Sequence, residues 1–172
     1  MERRSRVRLR SRSVVGFTLI EILVVVAIIG TLAFILLPNF ASGRAKARDA
    51  RRKAEISQLG RLISLSCFTP QDGPGEYDIA TLVPEIKTKY PQASQWFTQI
   101  PKDPSLGTED EAKYKYVVNA AGKCAVYANL EDDGQKVTLP ALSAPTAGGG
   151  TGVLEGSSDG WNGTSKYFQV SN

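Results

Sequence analysis

Gly16-Phe17-Thr18-Leu19-Ile20-Glu21 opens a long apolar run, Ile22-Leu-Val-Val-Val-Ala-Ile-Ile-Gly-Thr-Leu-Ala-Phe-Ile-Leu-Leu37, and it follows a leader dense in arginine. Phe17 to Leu37, taken as an α-helix at about 1.5 Å per residue, is roughly 31 Å long. That matches the hydrocarbon thickness of a bilayer, about 30 Å. Arginines at positions 3, 4, 6, 8, 10 and 12 precede the run and none lies within it. This asymmetry predicts a cytoplasmic N-terminus and an exported C-terminal part. A secretory signal peptide has a shorter apolar core of about 7–15 residues, with its small-residue cleavage site after the core. Here the small residue, Gly16, comes before the run. Cleavage after Gly16 therefore removes the basic leader and keeps the helix.

The order of parts, basic leader, Gly16-Phe17, Glu21 and then about twenty apolar residues, resembles the processing signal of the type IV prepilins and pseudopilins. The resemblance is close over Gly16 to about Cys67 and loose beyond. It implies that a prepilin peptidase cuts between Gly16 and Phe17 and methylates the new amine of Phe17. It also implies that Glu21 directs assembly of a homopolymeric filament. A carboxylate at the centre of a membrane helix costs about 2.5–3.5 kcal/mol, less near an interface. Pairing Glu21 with the α-ammonium of Phe17 on a neighbouring subunit lowers the cost for both charges and sets the stagger between helices. Pro38 and Gly43 are expected to kink or loosen the helix, and the family's stem commonly carries such residues here.

The net charge of +4 is produced by the leader. Without residues 1–16, 15 of the 21 basic and 16 of the 17 acidic side chains are left, so a nucleic-acid reading from pI loses its basis. No histidine is present, which excludes imidazole metal sites and histidine-dependent catalytic triads. Neither catalytic residues nor a cofactor nor a metal site is expected, and the chain reads as a structural protein rather than an enzyme. Cys67 and Cys124 are not a CxxC pair. After export they are expected either to form a disulfide, closing a loop worth roughly 4 kcal/mol, or to be buried thiols.

Five segments follow: a leader over 1–16, a transmembrane and polymerisation helix over 17–40, an amphipathic stem helix over 41–67, a head over 68–139 and a tail over 140–172. In the stem, Ile56, Leu59 and Ile63 recur at helical spacing with Leu62 beside them. Arg44, Lys46, Arg48, Arg51, Arg52 and Lys53 form a basic run. It reads as a solvated face, or as a contact for headgroups, for acidic neighbouring subunits or for DNA; it does not establish nucleic-acid binding. Thr69 to Gly75 is a helix stop. Prolines 84, 91, 101 and 104 leave room only for short helical pieces over Ile79–Leu82 and Ala93–Phe97, and Trp96 and Phe97 are expected in the core. Strands are expected over Tyr114–Asn119, Cys124–Leu130 and Lys136–Leu139, as a meander. The Gly/Ser/Pro-rich tail is expected to be a flexible loop with a last short strand over Tyr167–Val170. Asp132-Asp133-Gly134 fits a hairpin turn better than a calcium loop, and Asn162-Gly163-Thr164 fits a frequent glycosylation pattern.

The fold class is thus α+β, a long N-terminal helix packed on a small antiparallel sheet in the manner of a pilin head. The expected function is a type IV pilus subunit, anchored in the cytoplasmic membrane and then part of a surface filament. A type II secretion pseudopilin and a DNA-uptake or adhesive pilin are the alternatives. The major pseudopilins of type II secretion carry an Asp-Pro-Trp-Gly-like segment, whereas this chain has Lys102-Asp103-Pro104-Ser105-Leu106-Gly107. The partners implied are other copies of the chain, the peptidase, the assembly machinery and the membrane.

Overall fold

The computed structural model describes residues 16–63, 67–95 and 97–172, including all their side chains except those of residues 35–41, 63 and 93. Leader residues 1–15 and Trp96 lie outside the described residues. Two compact units are present, one through Phe40 and one over Ala41–Asn172. Helix α1, Leu19–Ile63, begins in the first and ends in the second. Its backbone is helical across Pro38 and Gly43, and among the described residues nothing stands within 4 Å of where a Cβ on Gly43 would be.

In the second unit five strands form one antiparallel sheet: β1 Gly75–Asp78, β2 Lys115–Val118, β3 Cys124–Asn129, β4 Gly152–Glu155 and β5 Lys166–Ser171, in the order β1-β2-β3-β5-β4. Helix α2, Ile79–Lys89, follows β1 directly. Ile56 and Leu59 of α1 are buried with Ile79, Leu82, Val83 and Ile86 of α2 against Tyr116, Val118, Val126 and Ala128 of the sheet. Close approach is possible because Gly60 has no side chain: a Cβ there would lie 2.3 Å from Cγ1 of Val170 on β5. Cys67 and Cys124 form a disulfide, with Cα atoms 5.5 Å apart, that joins the chain after α1 to the start of β3.

Three expectations need correction. The helical piece over Ile79–Leu82 is the first turn of an 11-residue helix that passes through Pro84. Asp78 caps it by accepting from the N–H of Ala80 at 2.8 Å. The apolar residues at 79, 82, 83 and 86 fall on one buried face, and that burial offsets a proline cost of about 3 kcal/mol. The expected strand over Lys136–Leu139 does not form a ladder. Thr138 and Leu139 both donate to the carbonyl of Val153, at 2.8 and 2.9 Å, so the segment only caps the edge of β4. The place beside β3 is taken by β5.

The third correction concerns residues 140–166, which contain β4 and ordered turns. The buried Gln169 side chain fixes them, accepting from Thr146 N at 2.8 Å and donating to Gly150 O at 2.8 Å. Leu139, Leu142 and Trp161 pack on Tyr127, Leu154 and Tyr167. The sheet is therefore covered on both faces, and β3 is buried along its whole length.

Candidate assembly site

Thr18 and Glu21 form a reciprocal cap on the first turn of α1. The Glu21 Oε2 atom accepts from the Thr18 N–H and from the Thr18 hydroxyl, each at 2.8 Å, and the Glu21 N–H donates to Thr18 Oγ1 at 3.3 Å. This Thr-x-x-Glu arrangement is a capping box, and its carboxylate lies where the helix dipole favours negative charge. Among the described residues, Oε1 of Glu21 has no partner, so it is free to accept from a second donor. Gly16 and Phe17 lie just outside the helix. Phe17 is 83% exposed, and among the described residues nothing stands within 4 Å of where a Cβ on Gly16 would be.

From Leu19 to Phe34 every residue is exposed, the two ends at 82% each. The apolar residues lie on all sides of the helix, a pattern found where protein or lipid surrounds a helix completely. Among the described residues no helix is long and apolar enough to cross a membrane. The side chains of residues 35–37, which end the apolar run, lie outside the described set.

A second cluster holds the head to α1. The Arg52 side chain is fully buried, as is that of Asp103. Its guanidinium donates to Asp103 through Nε at 2.7 Å and Nη2 at 2.9 Å, to Asp49 through Nη1 at 2.8 Å, and to Glu131 through Nη2. Arg48 also reaches Glu131, with Nε 2.9 Å from Oε1. Asp49 accepts from the backbone N–H groups of Glu131 and Asp132 at 2.9 and 2.8 Å, and Asp103 accepts from those of Ser105 and Leu106.

Burial alone would push the Asp103 carboxyl up. The hydrogen bonds from Arg52, Asn162 and the backbone outweigh burial and hold it at about 2. The hydrogen bond from Arg48 leads the effects that lower Glu131 to about 2. Burial would lower Arg52, but its carboxylates raise it overall. Two cations and three carboxylates thus tie α1 to the 103–106 turn, the end of β3 and the loop before β5. Each member needs the others, because one unpaired buried charge costs several kcal/mol.

This cluster changes the reading of the basic run. Arg48, Arg52 and Lys53 are used inside the head, Lys53 with Gln135 and over the ring of Phe168. Arg51 pairs with Glu55 at 2.8 Å. Arg44 and Lys46 are exposed. Asn162 is no free acceptor for a glycan, since its Nδ2 donates to Asp103 and to the carbonyl of Asn129, both at 2.9 Å. The Asp132 carboxylate accepts from Gly134 N and Gln135 Nε2 within its own turn. Among the described residues no cluster of three or more acidic, histidine or cysteine side chains is placed to hold a metal ion.

Sequence reasoning missed the capping box, although Thr18-x-x-Glu21 was there to be seen. It also missed Asp103, Glu131 and Asn162, for which no local signal exists.

No family model matches the chain, and no solved structure matches it. Curated relatives do. The type II secretion system core protein G of Dickeya chrysanthemi is 33% identical over 110 residues, 60% of this chain and 65% of that protein. The type IV major pilin protein PilA of Myxococcus xanthus is 48% identical over 44 residues, 26% of this chain and 20% of that protein. The type IV wide pilus major component PilA4 of Thermus thermophilus is 53% identical over 38 residues, 22% of this chain and 29% of that protein. The chain spans less than two thirds of the length of each of these relatives.

Proposed function

We propose, from its similarity to type IV pilins and to a type II secretion core protein G, that the chain is a member of the type IV pilin and pseudopilin family and a non-enzymatic subunit of a filament. A prepilin peptidase cuts between Gly16 and Phe17 and methylates Phe17. The subunit waits in the cytoplasmic membrane with its N-terminus inside and the 41–172 unit outside. Assembly machinery then draws it into a polymer held by the apolar start of α1. The observation that carries this reading is the join between an uncovered apolar helix and the half-occupied carboxylate of Glu21. Oε2 closes the first turn on Thr18, which leaves Oε1 to take the ammonium of a neighbouring Phe17. The capping box thus holds the carboxylate in place before a partner arrives.

In cells producing Glu21→Ala, the subunit should reach the membrane at the normal level while sheared filaments fall at least tenfold. Normal filament yield would overturn the pairing. The second reading is a subunit of a secretion pseudopilus. It is favoured by the length of the match to the secretion core protein, which covers more than twice as many residues as either pilin match described above. Long fibres on cells at native expression support the pilus; their absence, together with a secretion defect on deletion, supports the pseudopilus.

A further inference from the structure

Between Arg44 and Arg61, α1 carries seven basic residues, and five of them have duties within the chain. Arg48 and Arg52 serve the buried cluster, Arg51 pairs with Glu55, and Lys53 binds Gln135. Arg61 lies in the last helical turn, where a cation complements the dipole. Arg44 and Lys46 have no such duty. Both are exposed, and among the described residues no carboxylate pairs with either. The acids nearest along the helix are already engaged, Asp49 by Arg52 and Glu55 by Arg51 and the Tyr114 hydroxyl.

We propose that Arg44 and Lys46 form a collar that docks on the anionic phosphate headgroups of the membrane surface from which the chain emerges. The proposal rests on the reading that the apolar run ending at Leu37 spans the bilayer. Arg44 and Lys46 follow Leu37 by seven and nine positions, about 10 and 14 Å as helix. The headgroup layer fills roughly 5–7 Å of that distance on each side of the bilayer, which leaves both charges within about 8 Å of it, the length over which salt screens a charge. Cations on the exit side run against the usual topogenic bias, and a local anionic surface supplies the compensation they lack within the chain. Two charges are too few to hold a nucleic acid, whose binding rests on many neutralised phosphates. They suffice at a membrane, because the span already holds them beside the headgroups at high effective concentration.

The test uses the full chain in nanodiscs, either of phosphatidylcholine alone or with about 40% phosphatidylglycerol. Acetylation of each lysine by a water-soluble ester is followed by mass spectrometry. Lys46 should react several-fold more slowly in the anionic discs at low salt. The difference should vanish in 0.5 M NaCl and shrink in Arg44→Glu, while exposed Lys123 keeps one rate throughout. Equal Lys46 rates in both lipids overturn the collar, as does equal slowing of Lys123. Slowing of Lys46 by added duplex DNA but not by anionic lipid overturns it in favour of a nucleic-acid surface. Elution of the chain apart from the discs overturns the spanning reading, and the collar with it.

Discussion

Replacing Asp103 by Asn keeps the shape of the side chain and removes one of the three carboxylates around buried Arg52. Asp103 sits at about 2 against an ordinary 3.8. At about 1.4 kcal/mol per tenfold change in proton affinity, the gap corresponds to roughly 2–3 kcal/mol of stabilisation at neutral pH. Because the folded value is the lower one, that contribution is complete above the unfolded value and is lost as the pH falls through about 2. A neutral amide cannot supply it, so the variant should be less stable by at least about 2 kcal/mol at pH 7. Breaking a buried pair costs about 3–5 kcal/mol as an upper range. For a unit of this size the melting temperature should fall by roughly 10 °C. Urea unfolding of wild type and Asp103→Asn in micelles, followed by circular dichroism at pH 7, 4 and 2, measures both quantities. The two proteins should converge as the pH falls to 2. A difference below about 0.5 kcal/mol at pH 7, or one that stays constant down to pH 2, would refute the cluster as the electrostatic tie between α1 and the head.

Two further perturbations address the head. Gly60→Ala puts a methyl group against Val170 and should cost about 1–3 kcal/mol despite the better helix propensity of alanine; a stabilised variant would contradict the close approach of α1 and β5. Replacing both Cys67 and Cys124 by Ser reopens a loop of 57 residues and should cost roughly 4 kcal/mol, measured as the shift in urea midpoint at unchanged slope. An unchanged midpoint would show that the crosslink does not restrain the unfolded chain.

The start of α1 was legible because apolar length, flanking charge and a terminal carboxylate are local signals. Strands β2 and β3 were legible for the same reason, since alternation and turn residues sit within a few positions of each other. At α2 two local rules conflicted: the 79, 82, 83, 86 spacing pointed to a buried helix face, while Pro84 pointed to a break. Burial against the sheet decided between them, and that is a tertiary effect. The Gly-rich stretch read as a loop because composition hides close packing. Gly160, for instance, lies so near Asn129 that a Cβ would be 2.5 Å from its Cγ. The buried cluster was beyond reach for another reason. Arg52 finds Asp103 51 residues away and Glu131 79 residues away, so nothing within the basic run separates Arg52 from its exposed neighbours. Neutralising Arg51 and Arg52 together, a natural probe of DNA binding when only the sequence is known, would therefore break the head rather than test a surface.

The central claim, that this chain is a processed filament subunit, is tested most directly by the mass of the N-terminal peptide from protein purified out of its native membrane. The account predicts a peptide beginning at N-methylated Phe17. An intact Met1, or a first residue near Arg44, would contradict it.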